Sequence, residues 1–247
     1  MLEAFLWGAV ASGTLLLGAV IAYLATPGPR LNAVIMASGA GLLLGSVSYD
    51  LIEEALKSSS LLLVATTFFL GSFTFIVGDR ILDRMGAAQR KNTKGAQADG
   101  SSKAIVMGSV LDGIPESFVL GLTVLQGGVS LPLLFSVAFS NLPEGMASSS
   151  GLRIAGWPVK RVMLMWSLVV LVSATAAAAG YIMLDPDSGI IGPAGQAYAQ
   201  AFAAGALLTM LVDTMLPESF EVERDLTGGL VVLGFAGSLG LATLSPP

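Results

Sequence analysis

The chain is cut into blocks of roughly 20 apolar residues, the length a helix needs to cross a hydrocarbon core about 30 Å thick. The blocks lie at about 4–25, 31–55, 60–79, 104–125, 129–152, 159–184, 195–219 and 227–245. Only 12% of the 247 residues are charged and 54% are hydrophobic. A soluble domain carries about a quarter charged residues, so this chain has too few to clothe a water-facing surface. The expected fold is an all-α polytopic membrane protein with eight transmembrane helices, in a single transmembrane domain over residues 1–247.

Cysteine and histidine are both absent. Disulfides, thiolate or imidazole zinc sites, and Ser-His-Asp or Cys-His catalysis are thereby excluded. The opening run, MLEAFLWGAV, has no basic segment before it and is apolar for too long to be a signal peptide, so it reads as a true span. The longest polar segment, 84–103, is rich in Gly, Ala, Gln and Lys without apolar periodicity, and is expected to be a flexible loop between the third and fourth spans.

Orientation follows the basic residues. Arg80, Arg84, Arg90, Lys91, Lys94 and Lys103 lie in or beside that loop, which is therefore expected to be cytoplasmic. Counting spans outward, Arg30, Arg153, Lys160, Arg161 and Arg224 fall on the same side, leaving Lys57 outside. Both ends of the chain are then expected outside a multi-pass cell (inner or plasma) membrane protein, with the lipid bilayer as partner and no nucleic acid.

An internal repeat adds an architecture. GLLLGSVSYDLIEE (41–54) in span two resembles GALLTMLVDTMLPE (205–218) in span seven, with Gly41 over Gly205 and Glu54 over Glu218. The two spans run in opposite directions, as an inverted-topology repeat requires. The expected arrangement is 3+2+3, spans 1–3 and 6–8 forming the halves around spans 4 and 5.

Those middle spans carry the chemistry. Each has a proline followed by glutamate near its centre, so that Asp112-Gly113-Ile114-Pro115-Glu116 aligns with Ser140-Asn141-Leu142-Pro143-Glu144. Proline removes an N–H and clashes with the carbonyl four residues back, so both spans are expected to be interrupted there, freeing the carbonyls of Leu111 and Phe139. Asp112 and Glu116 share one helix face, as do Ser140 and Glu144. An acid in hydrocarbon costs several kcal/mol and marks function by default, and no Lys or Arg within either span can pair with these. Interhelical hydrogen bonding alone would explain Ser140 or Asn141 but not three acids.

Carboxylates, an amide, a hydroxyl and backbone carbonyls form an all-oxygen donor set for a divalent cation, without ranking Zn²⁺, Mn²⁺ and Fe²⁺. The cation is cargo, and no cofactor is expected. Asp50, Glu53 and Glu54 at the outer end of span two, with Asp213 and Glu218 near the inner end of span seven, read either as ligands along a pathway or as solvated helix-end acids. Asp213, the deepest, is included among the metal ligands. An intramembrane aspartyl protease would be expected to present Gly-x-Gly-Asp where this chain has Leu111-Asp112-Gly113, so no enzyme activity is expected. A membrane protein that binds a cation without transporting it is the alternative.

At these residues the chain resembles the ZIP family of divalent metal transporters, its bacterial branch in particular. LDGIPES (111–117) and SNLPEG (140–145) resemble that family's HNxPEG-type motifs in spans four and five, DTMLPES (213–219) its span-seven motif, and DLIEEAL (50–56) its span-two counterpart with Glu53 in place of proline. The resemblance implies a transporter whose metal ligands are Asp112, Glu116, Ser140, Asn141 and Glu144, and a homodimer. The chain departs from the pattern where Asp112 replaces a histidine, Gly113 an asparagine, and Ser173 a span-six acid; it is a histidine-free variant.

Overall fold

Proline opens the helices and glycine decides how closely they pack. The computed structural model describes residues 1–25, 27–87, 102–185 and 193–244, and every element among them is helical. Eight rods follow in order: α1 (Leu2–Leu24), α2 (Pro29–Ser58), α3 (Leu61–Leu82, running on as Asp83–Ala87), α4 (Ser102–Leu125), α5 (Leu131–Ile154), α6 (Val159–Met183), α7 (Pro193–Met210, Leu211–Met215 and Leu216–Val222, end to end) and α8 (Thr227–Ala242). Pro29, Pro132 and Pro193 sit in first turns, where the missing N–H costs nothing. Ser130 caps α5 by accepting from the Leu133 N–H at 3.2 Å. Gly156, at φ +82°, makes the left-handed turn from α5 into α6.

The bundle is apolar outside and holds polar groups within an apolar core. Leu6 and Leu17 of α1, Phe69 and Phe73 of α3, Leu164 and Leu168 of α6, and Val232 and Leu233 of α8 are exposed, while serines, Asn32, Asn141 and the acids Asp112, Glu116, Glu144 and Glu223 are buried. A water-soluble monomer rarely leaves such extensive apolar faces uncovered. Six of the rods are long and apolar enough to cross a membrane, and the chain is a multi-pass helical membrane protein. The other two rods are α5, which its serines, Asn141 and Glu144 make too polar, and α8, which is apolar but only 16 residues long.

Glycine pairs draw the helices together at four crossings. A β-carbon on Gly18 (α1) would land on the α5 backbone at Leu142–Met146, and one on Gly145 (α5) on the α1 backbone at Leu15. Gly121 (α4) and Gly180 (α6) meet in the same way, as do Gly41 (α2) with Gly234 (α8) and Gly71 (α3) with Gly205 (α7). Helices α1, α4, α5 and α6 thus form one group and α2, α3, α7 and α8 another, joined chiefly where α2 lies along α5. Helices α4 and α5 lean on α1 and α6 far more than on each other.

Two local expectations are corrected. Pro115 and Pro143 do not interrupt their helices; each sits inside an unbroken α-helix. One lost backbone bond is tolerated where neighbouring helices confine the segment. Among the described residues the departures from α geometry fall instead in α2, where Val47–Glu53 is π-helical, in α7, where Leu211–Met215 is, and at the end of α3, where Asp83–Ala87 is. With Gly41 placed over Gly205, Val47 falls on Leu211, so those two π-turns begin at matching positions. The loop expected at 84–103 is also shorter than its composition suggested: α3 continues to Ala87 and α4 starts at Ser102. Arg90, Lys91 and Lys94 lie outside the described residues.

Candidate metal site

Helices α4 and α5 run antiparallel and bring their polar faces to a common level. Asp112, Glu116 and Glu144 are 3%, 1% and 2% exposed, and Ser140 and Asn141 are buried beside them. Among the described residues, side-chain contacts cross between the helices in both directions. The Ser109 hydroxyl of α4 donates to Glu144 Oε1 of α5, and the Ser140 hydroxyl of α5 lies 3.4 Å from Glu116 Oε1 of α4. Each helix therefore offers a serine to the other's glutamate. Ser140 Oγ is also 3.0 Å from its own helix's Val137 carbonyl, which holds the hydroxyl between two acceptors.

These contacts fix the register. Seven residues of α4 separate Ser109 from Glu116, about 10 Å of helix rise, and Asp112 and Asn141 occupy the layer between the two contacts. The carboxylates are strung along the interface. Among the described residues no three Asp or Glu side chains converge as a ready cage for a metal. Any cation held here would draw on carboxylates spaced along the interface together with Ser, Asn and carbonyl oxygens, a set suited to a hard or borderline cation.

Glycines and serines shape the walls. Gly113, beside Asp112, faces the Ser173 hydroxyl of α6, and a β-carbon on Gly113 would crowd that oxygen at 2.9 Å. Ser173 thus stands against the acid-bearing turn of α4. Ser117, next to Glu116, is buried with its hydroxyl lacking a hydrogen-bond partner. Ser109 escaped the sequence reading, although it lies three residues before Asp112 and seven before Glu116, on one helix face.

The remaining acids fall elsewhere. Asp213 is exposed in the π-turn of α7 and is not gathered with the α4–α5 acids. Glu218 is half-buried one turn and a half further along. Asp50 is half-buried and accepts from the Ser130 hydroxyl at 2.5 Å, while Glu53 and Glu54 pair with Lys57 at 3.7 and 2.9 Å. Asp50, Glu54, Lys57 and Ser130 line a polar cleft of about 360 Å³ with Tyr49, Thr123 and Gln126 at the end of the bundle where α2 and α4 finish. Thr123 is two turns of α4 from Glu116, so the cleft opens about 10 Å from the buried acids.

No protein-family model matches the chain. The chain is 26% identical over 237 residues, 92% of its own length, to a protein of Arabidopsis thaliana described as a putative zinc transporter. It spans 36% of that protein, about a third of its length. The similarity covers both proline-glutamate helices and the flanking halves alike.

Proposed function

We propose that the chain is a ZIP-type transporter of divalent metal cations, moving Zn²⁺ or a similar first-row ion into the cytoplasm through a site on α4 and α5. The observation that carries this reading is the reciprocal pair of serine–glutamate contacts, Ser109 with Glu144 and Ser140 with Glu116, buried within apolar helices. Acids at that depth need a compensating cation or a proton, and a row of oxygen donors between two helices serves a cation in passage. The likeness to a protein described as a zinc transporter points the same way.

All eight rods then serve as spans of one transporter domain, in the 3+2+3 order with an inverted repeat. Each glycine crossing has a counterpart that supports this. The α1–α5 crossing is matched by α6–α4, and the α2–α8 crossing by α7–α3, as exchanging the halves demands. The π-turns at Val47 and Leu211 supply a second matched feature. The basic residues set the orientation, with both ends of this chain outside. The ligands are Asp112, Glu116, Ser140, Asn141 and Glu144; Asp213, exposed in the π-turn of α7, stands apart from that set. Nothing in this chemistry calls for bond-making on a substrate, so the chain acts without catalysis, as a homodimer of the kind the family resemblance implies.

The test is uptake into proteoliposomes loaded with a fluorescent chelator, comparing Zn²⁺, Mn²⁺, Fe²⁺, Co²⁺, Cd²⁺ and Mg²⁺. Saturable uptake of one or more ions is expected, with Glu116→Ala and Glu144→Ala each reducing it at least about 100-fold, the loss of a buried charged-group interaction worth ~3 kcal/mol. Uptake unchanged in both variants would overturn the site. Metal binding by folded protein with no uptake of any ion would replace transport by cation sensing.

A further inference from the structure

The end of the bundle that carries most of the basic residues is not uniformly charged. Asp79 and Asp83 of α3 and Glu221, Glu223 and Asp225 around the α7–α8 joint place acids on one side of it. There Arg30 is neutralised by Glu223, Nε to Oε2 at 2.6 Å. The opposite corner, where α1 and α5 end and α6 begins, holds Arg153, Lys160 and Arg161 and, among the described residues, no acid. No carboxylate among the described residues pairs with any of the three.

The two arginines are braced rather than loose. Arg153 Nη1 donates to the Ala22 carbonyl at 2.9 Å, and its guanidinium lies 5.9 Å from the Tyr23 ring centre. Tyr23 Oη in turn donates to the Trp157 carbonyl at 2.7 Å. Arg161 stacks on the Trp157 ring, 3.7 Å from its centre. A guanidinium held flat on an aromatic face loses little freedom when it binds an anion and still offers its edge donors. The 25-residue α6 begins at Val159, after Pro158 as its N-cap and with no side-chain cap, adding the positive end of a helix dipole to the same spot. Leu24, Ile154 and Val159, all exposed, surround the corner with apolar surface.

We propose that this corner binds the phosphodiester headgroup of an anionic phospholipid, with Arg153, Lys160 and Arg161 holding the phosphate and Leu24, Ile154 and Val159 meeting the acyl chains. Guanidinium matches a phosphate with two parallel donors. Tyr and Trp sit by preference at headgroup level, and anionic lipid is concentrated in the leaflet that basic loops face. A soluble phosphate would satisfy the cations but leave the apolar rim uncovered. The proposal depends on these helices lying in a bilayer and is independent of ion transport.

Native mass spectrometry of the full chain with phosphatidylglycerol and phosphatidylcholine of matched acyl chains tests it. The wild type is expected to retain phosphatidylglycerol at least about ten-fold over phosphatidylcholine, with about five-fold less retention for each charge removed in Lys160→Gln and Lys160→Gln/Arg161→Gln. Lys57→Gln, at the opposite end of the bundle, leaves retention unchanged. Lys160 and Arg161 make no side-chain hydrogen bond among the described residues, so these variants should fold, and melting in phosphatidylcholine verifies it. Added phosphatidylglycerol should then raise the melting temperature of the wild type and of Lys57→Gln but not of the double variant. Equal retention of the two lipids, or retention unaffected by the double substitution, overturns the proposal. Displacement of the lipid by millimolar inorganic phosphate also overturns it, reassigning the corner to soluble anions.

Discussion

The crossing of α1 with α5 and the interface between α4 and α5 are neighbours built on opposite principles. At the first, Gly18 and Gly145 let two backbones touch, and nothing larger than hydrogen fits. At the second, the helices stand apart and side chains fill the interval, with Ser109 reaching Glu144 and Ser140 facing Glu116. The α4–α6 crossing repeats the tight solution through Gly121 and Gly180. The polar interval is therefore kept by what lies outside it: α1 grips α5, α6 grips α4, and the two acid-bearing helices are spaced without having to pack on each other. Dispersion between close backbones does in the membrane the work that hydrophobic burial does in water.

The largest effect should come from breaking the tight side of that contrast. Gly145→Ala puts a methyl onto the Leu15 backbone, which cannot swing aside as a side chain would. Overpacking costs typically 1–3 kcal/mol, and with backbone on both sides about 3 kcal/mol or more is expected, with uptake lost along with the spacing. Gly13→Ala on α1, where a β-carbon meets nothing within 4 Å, is the matched control and should be neutral or slightly stabilising, by up to ~1 kcal/mol. Thermal melting of both variants in one lipid measures the difference; equal melting points would refute the account of the crossing.

Altering the loose side should disturb function more than folding. Ser109→Ala removes the hydroxyl that donates to Glu144 while leaving the helix intact. A hydrogen bond to a charged group is worth about 1.5–3 kcal/mol, so half-saturation for the transported ion should rise at least about ten-fold, with the melting temperature falling less than in Gly145→Ala. Ser136→Ala, whose hydroxyl serves only its own helix at the Leu133 carbonyl, should leave uptake as it is. If both serine variants behave alike, the cross-helix contact has no part in holding the ion.

How much of this could be read from the residues differs element by element, for physical reasons. Apolar blocks gave the rods and their ends closely, because a bilayer imposes a length on any helix that crosses it. The acids of α4 and α5 stood out because a carboxylate is rare in apolar sequence. The effect of proline was misjudged at Pro115 and Pro143, since whether a lost hydrogen bond breaks a helix depends on the neighbours that confine it. The π-turns of α2 and α7 carry no comparable local marker, being a wider helical spacing that the surrounding packing holds. Ser109 was hidden because serine is common in membrane helices, and only its register with Asp112 and Glu116, together with the antiparallel approach of α5, gives it a partner. The glycine crossings were visible as residues but not as pairs, since pairing needs the fold.

The smallest expected effect separates α7 from the α4–α5 interface altogether. Asp213 shares its motif with acids that resemble metal ligands, yet it is exposed in the α7 π-turn while Asp112, Glu116 and Glu144 are buried. An exposed carboxylate is already solvated and gives little when exchanged for an amide of the same shape. Asp213→Asn should therefore change uptake by less than about two-fold, the range of ordinary surface substitutions of ±0.5 kcal/mol. If it instead abolishes uptake as Glu144→Ala is expected to, the ion meets Asp213 during transport, and α7 must turn its π-helical segment toward α4 and α5 at some stage of the cycle. The wider spacing of a π-turn, able to shift by one residue without breaking the helix, would then be the part of α7 that makes such a turn feasible. A variant that lengthens or deletes one residue between Leu211 and Met215 would distinguish that motion from a fixed role for the carboxylate.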